Sequence, residues 1–237
     1  HADLCQIYTD VDGVYTADPR IVPNARKMEE VTYDEMLEMA SLGAKVLHSR
    51  CVEIAKKYGV ELLVCSSLNR NSGTMVREKT KMEKMLISGV AADKNVAKIR
   101  VAGLGNDPES TFRLLNLLDR NNLNIDVMIQ SLGKDGTKSV SFTVAKPDML
   151  RTIDVLNDNK DSLGIKKLDY DENVAKISVI GAGVRSHSGV AAKMFGALAN
   201  AGINTEMITT SEIRITALID EAYADQAMRA IHETFLE

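Results

Sequence analysis

The sequence predicts an α/β segment followed by two interlocked ferredoxin-like modules, each with the element order βαββαβ. The first observation is a repeat, because the pentapeptide Asn-Val-Ala-Lys-Ile occurs at Asn95–Ile99 and again at Asn173–Ile177. A second matched patch follows each copy at a similar distance, at Leu123–Asp126 and at Ile203–Glu206. The third observation is that strand-like and helix-like patterns recur in the same order after each pentapeptide, which indicates a duplicated module.

The first copy opens with an apolar, β-branched run that predicts a strand. Asp107-Pro108 then predicts a helix start, because Asp caps free N–H groups and proline suits the first turn. The predicted elements in chain order are a strand over Ala97–Leu104, a helix with the apolar stripe Phe112, Leu115 and Leu118, strands over Leu123–Leu132 and Ser139–Val144 joined by a turn at Gly133–Gly136, a helix over Pro147–Leu156 and a strand over Gly164–Tyr170.

The second copy shows the same pattern but ends one strand early. Its predicted elements are a strand over Lys176–Ile180, a helix over Gly189–Asn200, strands over Ile203–Thr210 and Ile213–Ile219, and a helix over Tyr223–Phe235. One unassigned strand-like segment, Met85–Ala92, precedes the first copy. We therefore expect this segment to complete the second sheet, so that residues 85–172 form the first module and residues 173–237 form the second.

Residues 1–68 differ from the repeat and are interpreted as the end of an α/β domain, so the chain is expected to be a piece of a longer protein. Leu4–Thr9 and Val60–Ser66 predict strands. Thr32 and Glu35 have the spacing of a capping box, which predicts a helix through Ala40. A further helix is predicted over residues 49–57, ending at a glycine. The polar residues 69–84 are interpreted as a linker.

Composition excludes several function classes. The formal net charge of −4 gives no electrostatic footprint for nucleic acid. No apolar run approaches the roughly 20 residues that cross a bilayer, so no membrane partner is expected. Three cysteines in apolar segments fit a reducing cytoplasm better than a disulfide framework. The four histidines and three cysteines show no metal-ligand spacing, so no metal site is predicted.

The densest polar motif is Thr9–Arg20, which directly follows a predicted strand, where α/β folds place ligand-binding loops. Its residue types suit a nucleotide. Thr9 can donate a hydrogen bond, Tyr15 offers a flat ring and a hydroxyl group, and Arg20 and Lys45 supply positive charge for phosphate oxygens. A polar surface turn that ends at its Asp-Pro pair is the alternative interpretation.

Five motifs give the chain a resemblance to the aspartokinases of the amino-acid-kinase superfamily. Thr9–Arg20, which reads TDVDGVYTADPR, is similar to the family's nucleotide-site signature, and Tyr33–Ala40 and Gly43–His48 follow at the family's spacing. Val184–Val190 and Thr210–Ile215 resemble the second of the family's two ACT domains. The resemblance covers essentially the whole chain. It implies the C-terminal portion of an amino-acid-kinase α/β domain followed by two ACT domains.

The resemblance implies a reaction in which the γ-phosphoryl group of ATP, bound with Mg²⁺, is transferred to the side-chain carboxylate of aspartate. The family's Lys-Phe-Gly-Gly phosphate loop and its aspartate-binding residues are not found in this sequence. No catalytic residue is therefore expected here, and this chain alone is expected to be inactive. The positions that match the family's ATP contacts are Thr9, Asp10, Tyr15, Arg20, Lys45 and Val46.

An amino-acid effector needs acceptors for its ammonium group and donors for its carboxylate. Asp126 can accept from an ammonium group, Gln130 can reach a side chain, and the helix start after residues 106–108 presents free N–H groups. A helix cap and plain loop residues are the structural alternative. The resemblance implies effector contacts at Asn106, Thr111, Asn124, Ile125, Asp126 and Gln130 in the first module, and at Val190, Ala191, Asn204, Thr205, Ser211 and Glu212 in the second.

Three functional interpretations stay open at this point. The first is a cytoplasmic aspartokinase segment whose own activity is to bind an amino acid, lysine and/or threonine, as a dimer formed through its ACT domains. The second is a separate, non-catalytic regulatory subunit that associates with a catalytic aspartokinase subunit. The third is a related amino-acid kinase such as a glutamate kinase, which the paired ACT modules argue against. The sequence does not decide among lysine, threonine, methionine and a lysine–threonine pair as effector.

Overall fold

The structure is a computed structural model that describes residues 2–43, 46–69, 71–80 and 86–236. The internal contacts divide the chain into two compact units. The flanking unit comprises His1–Asp93 and Lys176–Glu237, and the inserted unit comprises Lys94–Ala175. The second predicted module thus shares a unit with the predicted α/β segment. The predicted module boundaries at residues 85 and 173 stay a prediction.

The strands and helices follow one another in the order that the sequence predicts, with additional short elements. In chain order they are β1 (Leu4–Thr9), β2 (Glu30–Thr32), α1 (Tyr33–Ser41), α2 (Ser49–Tyr58), β3 (Glu61–Ser66), β4 (Thr74–Arg77), β5 (Gly89–Leu104), α3 (Pro108–Arg120), β6 (Met128–Leu132), β7 (Lys138–Ala145), α4 (Met149–Asp158), α5 (Lys160–Leu163), β8 (Lys167–Ile180), α6 (Gly183–Ser186), α7 (Val190–Asn200), β9 (Met207–Thr210), β10 (Arg214–Asp220) and α8 (Ala224–Leu236).

A four-stranded sheet with the order β1-β3-β4-β2 forms one part of the flanking unit. Strand β1 runs parallel to β3, with Leu4 opposite Glu61. The capping box that starts α1 is confirmed, because the Thr32 hydroxyl accepts from the Glu35 N–H while the Glu35 carboxylate accepts from the Thr32 N–H. Helix α2 ends at Gly59, which adopts the left-handed conformation that L residues rarely adopt.

The interpretation of residues 69–84 as a linker is wrong for part of that segment. Strand β4 lies within it and pairs antiparallel with β3 and parallel with β2. The side chain of Val76 is fully buried in the core beneath this sheet. The strand is only four residues long and is flanked by polar residues, so its local pattern is too short to indicate a strand.

The inserted unit contains a sheet with the order β6-β7-β5-β8, which is the ferredoxin-like arrangement that the sequence predicts. Strand β7 pairs antiparallel with both β5 and β6. Helix α3 begins as predicted, because the Asp107 side chain accepts from the Glu109 N–H and Pro108 occupies the first turn. Strand β6 is shorter than predicted: it starts at Met128, and residues 123–127 are irregular.

The flanking unit completes its second sheet with the first residues of β5. The strand order there is β5-β8-β10-β9, so β5 occupies the place of the strand that the second copy lacks. Ile87 and Val90 lie in the same buried cluster as Ile177 and Met194. The Ser88 N–H also donates to the carbonyl of Ile180, at 2.7 Å. The described part of the predicted segment 85–92 thus packs with the second module's core; residue 85 lies outside the described residues.

Four strands that were predicted separately belong, two by two, to only two continuous strands. The strands predicted to end at Ala92 and to begin at Ala97 are both parts of β5. The strands predicted over Gly164–Tyr170 and Lys176–Ile180 are both parts of β8. Strand β9 begins only at Met207, four residues later than predicted. Within the described residues, no helix combines the length and apolarity that a membrane span needs.

Candidate functional site

The candidate nucleotide residues lie mainly on the β1 loop, which we define as Asp10–Arg20. The loop follows the last residue of β1, Thr9, which pairs with Ser66 at the end of the parallel strand β3. The Thr9 hydroxyl donates to the carboxylate of Asp10 at 2.9 Å, in an exposed position. These two predicted residues are therefore in contact at the carboxyl edge of the sheet, where α/β folds hold ligands.

A second group on the β1 loop centres on Asp12. The Tyr15 hydroxyl donates to Asp12 Oδ1 at 2.8 Å, and Asn71 Nδ2 and Lys27 Nζ lie 3.3 Å and 3.4 Å from Asp12 Oδ2. The hydrogen bond from Tyr15, helped by Asn71 and Lys27, lowers the pKa of Asp12 below its ordinary value. The same bond, together with burial, raises the pKa of Tyr15. The Tyr15 ring is thus held in place by a charged partner.

The guanidinium group of Arg20 is engaged by the loop itself. Arg20 Nη2 lies 2.7 Å from Asp18 Oδ2, and Arg20 Nε donates to Asp18 Oδ1 at 3.0 Å. These hydrogen bonds lower the pKa of Asp18. The Arg20 side chain is 87% exposed, so a phosphate group can approach it from solvent. Any contact between Arg20 and a phosphate competes with Asp18.

Gly13 and Thr74 fix the turn of the β1 loop. The Thr74 hydroxyl accepts from the Val14 N–H at 2.8 Å and donates to the Met28 carbonyl at 2.6 Å. Gly13 has φ +145°, and a Cβ atom there would lie 2.5 Å from the Thr74 hydroxyl oxygen. Of the two remaining candidates, Val46 is half-buried against the adjacent core, and Lys45 lies outside the described residues.

In the inserted unit, the structure brings two candidate effector residues together. The Thr111 hydroxyl on α3 donates to the Gln130 side-chain oxygen on β6 at 2.6 Å. Asn106 is exposed in the turn before α3, next to the Asp107 cap. The ammonium group of Lys138 donates to the Asp107 carbonyl at 2.8 Å and places a positive charge beside this turn. These contacts place Gln130 of β6 beside α3 and the charge of Lys138 beside the turn that precedes α3.

The remaining first-module candidates occupy the irregular segment before β6. Asn124 and Asp126 are exposed and Ile125 is half-buried. The Asp126 N–H donates to the Thr143 carbonyl at 3.1 Å, and the Thr143 hydroxyl accepts from the Val127 N–H at 3.1 Å. The backbone of this segment is therefore held by β7, and Asp126 is an exposed residue.

The second-module candidates differ among themselves in exposure. Val190 is 2% exposed and its side chain belongs to the apolar core, so only its backbone at the start of α7 can meet a ligand. Ala191 and Asn204 are exposed, and Thr205 is half-buried. The remaining pair, Ser211 and Glu212, is exposed in the turn between β9 and β10.

Two contacts within the flanking unit were not indicated by any local pattern. Thr16 Oγ1 and His232 Nε2 form a buried hydrogen bond of 2.9 Å. Arg214 Nη1 donates to Glu38 Oε2 at 2.8 Å, joining the start of β10 to α1. The members of each pair lie more than 170 residues apart in the sequence. Among the described residues no cluster of His, Cys, Asp and Glu has metal-site geometry.

Two sequence families match separate parts of this chain. The sequence model of the amino acid kinase family matches residues 1–66, and that of the ACT domain matches residues 177–235. The aspartokinase of Pseudomonas aeruginosa is 44% identical over 237 residues, which is 99% of this chain and 58% of the relative. The chain thus spans somewhat more than half the length of such curated relatives.

Solved structures of aspartate kinases are similar to this chain in fold. Aspartokinase III of E. coli, solved in complex with aspartate and ADP, is 28% identical with a TM-score of 0.88 over 100% of this chain and 53% of that one. The same enzyme with lysine and aspartate gives a TM-score of 0.82. The regulatory subunit of aspartate kinase from Thermus thermophilus is 33% identical with a TM-score of 0.60, and the match covers 63% of this chain and 99% of the subunit. By sequence, fold and motif, this chain belongs to the aspartokinase family.

Proposed function

We propose that this chain is the part of an aspartokinase that contributes one side of the nucleotide site and senses a feedback amino acid through two ACT domains. The parent enzyme would transfer the γ-phosphoryl group of ATP to the side-chain carboxylate of aspartate. The observation that carries the proposal is the presence, in one chain, of an amino acid kinase match over residues 1–66 and an ACT match over residues 177–235. The E. coli relative that binds aspartate and ADP supports it.

The β1 loop supplies groups that suit ATP. Thr9 and Asp10 lie at the carboxyl edge of the sheet, Tyr15 is oriented by Asp12, and Arg20 is exposed to solvent. Phosphoryl transfer depends mainly on positioning and on neutralising charge, and Mg²⁺ arrives with the ATP phosphates. The role we assign to these side chains is to hold the nucleotide. The loop and residues that hold the other phosphates and aspartate would come from outside this chain.

The effector of the proposed sensor is an amino acid of the aspartate family, lysine and/or threonine. In the inserted unit, the carboxylate of the exposed residue Asp126 suits the ammonium group, and the pair formed by Thr111 on α3 and Gln130 on β6 suits a polar side chain. The E. coli relative that was solved with lysine supports this class of ligand. The equivalent positions in the second module are Ala191, Asn204, Thr205, Ser211 and Glu212, together with the backbone of Val190.

Calorimetric titration of the chain with lysine, threonine, methionine and a lysine–threonine mixture tests the sensor function. We expect at least one of them to bind with a dissociation constant in the micromolar to millimolar range. Aspartate and alanine serve as controls for nonspecific binding. If none of the feedback amino acids binds at millimolar concentration, the proposed sensor function is wrong.

A regulatory subunit that acts beside a catalytic subunit is the second candidate function. The match to the Thermus thermophilus regulatory subunit, which covers 99% of that chain, favours it. Mixing this chain with an aspartokinase catalytic subunit and measuring the mass of the complex would distinguish the two candidates. Either function is that of a cytoplasmic protein, in agreement with three cysteines that are all free.

Association of two copies through the ACT modules is part of the same proposal. Strand β6 lies at the edge of the inserted unit's sheet, and all five of its residues are exposed. Met128, Ile129 and Leu132 place apolar surface there. An exposed strand edge with apolar side chains favours pairing with a second copy. Analytical ultracentrifugation should show a dimer, and the substitution Ile129→Lys should shift it toward monomer.

A further inference from the structure

A buried hydrogen bond joins the β1 loop to the last helix of the chain. Thr16 Oγ1 and His232 Nε2 lie 2.9 Å apart although 216 residues separate them. Thr16 is 3% exposed and His232 is 0% exposed. Buried polar groups are costly unless they are hydrogen-bonded, so each of these residues constrains the other. The position of the loop is thereby tied to the position of α8.

The other polar atoms of Thr16 are also engaged. Its N–H donates to the Arg26 carbonyl at 2.9 Å, and its carbonyl accepts from the Val90 N–H at 2.8 Å. Its hydroxyl oxygen also accepts from the Arg26 N–H at 3.0 Å. Thr16 is therefore a fixed point in the β1 loop, held by the following turn, by β5 and by α8.

Apolar packing reinforces this attachment. Ala17 and Val22, which follow Thr16, lie in the same buried cluster as Ile231 and Leu236 of α8. The guanidinium group of Arg26 donates to the carbonyl of Leu236, at the end of that helix. A change in the position of α8 would disturb these contacts together. The loop residues around Thr16 would then move with the helix.

Two candidate nucleotide residues lie close to this fixed point, because Tyr15 directly precedes Thr16 and Arg20 follows four residues later. We propose that His232 is a positioning residue through which α8 of the second ACT module holds the β1 loop, so that nucleotide binding and the packing of α8 are coupled. The coupling to nucleotide rests on the proposed function of the loop. Thermodynamic linkage requires the effect to run in both directions.

Hydrogen exchange of the 237-residue chain tests whether α8 holds the loop. His232→Leu and Thr16→Val each remove the bond, and we expect backbone amides of residues 14–22 to exchange about tenfold faster, the factor for loss of roughly one hydrogen bond. His232→Gln keeps an amide that can bond to Thr16 and should restore exchange to within about twofold of wild type.

Thr216→Val is the matched control, because Ser178 and Thr216 form another buried pair in the same unit, at 2.7 Å. It should lower the melting temperature without selectively accelerating exchange in the loop. The proposal is wrong if both His232→Leu and Thr16→Val leave loop exchange at the wild-type rate. It is equally wrong if Thr216→Val accelerates hydrogen exchange in the loop as much as His232→Leu and Thr16→Val do. Thr16→Val nearly preserves side-chain shape, so unchanged loop exchange in this variant overturns the proposal even if His232→Leu fails to fold. Because Thr16→Val also removes the acceptor for the Arg26 N–H, faster exchange supports the proposal only when His232→Gln keeps exchange near the wild-type rate.

Addition of MgADP tests the coupling itself. In wild type, bound MgADP should slow exchange in residues 224–236, and His232→Leu should abolish this remote protection while His232→Gln preserves it. Calorimetry on the same samples reports whether MgADP binds. If it binds without protecting α8, the coupling is refuted and the nucleotide function stands. If it does not bind, nucleotide coupling in this chain fails, while the exchange rates without nucleotide still decide whether His232 positions the loop.

Discussion

Asp12 shows how single residues of the β1 loop support one another. Its carboxylate accepts hydrogen bonds from Tyr15, Asn71 and Lys27. Asp12 is not among the predicted ATP contacts, yet it orients Tyr15, which is one of them. The residue types of the motif indicate a nucleotide, but the partners come from positions up to 59 residues away. The sequence therefore predicts Tyr15 as a site residue without predicting what fixes its ring.

Tyr15→Phe should raise the pKa of Asp12 toward its ordinary value of 3.8, because the largest cause of its lowering is lost. A lowered folded-state pKa contributes stability that is present above the unfolded-state value and is lost as the pH falls through the folded-state value. The variant should therefore lose about 1 kcal/mol at neutral pH but less in acid. Carboxyl NMR titration and urea unfolding at pH 7 and pH 3 check this, with the exposed Tyr58→Phe as the control. An unchanged Asp12 titration would contradict it.

Asp126→Ala should weaken amino-acid binding roughly ten- to a hundredfold, because a charge-assisted hydrogen bond to an ammonium group is lost. Asp126 is an exposed residue, so the free energy of unfolding should change by less than about 0.5 kcal/mol. Calorimetry with lysine and with threonine gives the dissociation constants. Asp154→Ala, an exposed acid on α4, is the matched control. Equal affinity of Asp126→Ala and wild type would remove Asp126 from the site.

At the scale of elements, local pattern and tertiary pairing disagree at two places. Asp93-Lys94-Asn95 is polar enough to predict a break, yet β5 continues through it because the residues on either side find strand partners. The same holds for Asp171-Glu172 in β8. Pairing within sheets outweighs local preference, which is weak for strands. Helix starts and ends such as Thr32, Asp107 and Gly59 depend on local chemistry and are therefore predicted well.

Gly13→Ala should destabilise the attachment of β4 to the β1 loop by about 1–3 kcal/mol, since it combines backbone strain with a steric clash. Gly13 has φ +145°, and the added Cβ would lie 2.5 Å from the Thr74 hydroxyl oxygen. Gly196→Ala is the control, because nothing lies within 4 Å of a Cβ at this position in α7. It should instead stabilise by about 0.5–1 kcal/mol. Urea unfolding measures the change in the free energy of unfolding for both variants. If the two changes have the same sign, this prediction is wrong.

At the scale of the whole molecule, β5 and β8 each contribute residues to both units. Val90 lies in the core of the flanking unit and Val144 in that of the inserted unit. Val90→Ala should cost about 1–3 kcal/mol and accelerate hydrogen exchange in α7 and α8, whereas Val144→Ala should accelerate exchange in α3 and α4. If Val90→Ala accelerates hydrogen exchange in α3 as much as in α7, the assignment of Val90 to the core of the flanking unit is wrong.

We expect no aspartate kinase activity from this chain alone, because the family's phosphate loop and aspartate-binding residues are absent from its sequence. Formation of aspartyl hydroxamate with ATP and Mg²⁺ measures the activity. A full-length aspartokinase, assayed in parallel, is the positive control. Clear turnover by a preparation free of full-length kinase would refute this prediction and would require the phosphate site to be built from other residues.

The insertion of residues 94–175 between the two halves of the flanking unit also affects the order of folding. Asp93 and Lys176, at which the chain leaves and re-enters that unit, form an ion pair of 3.3 Å. Bringing them together from an unfolded chain costs closure entropy, whereas a folded insertion already restricts the separation of its ends. During synthesis the insertion emerges complete before α7 and α8 exist. We therefore expect the inserted unit to fold first and the first residues of β5 to gain their neighbours in the flanking unit only after α7 and α8 have been synthesised.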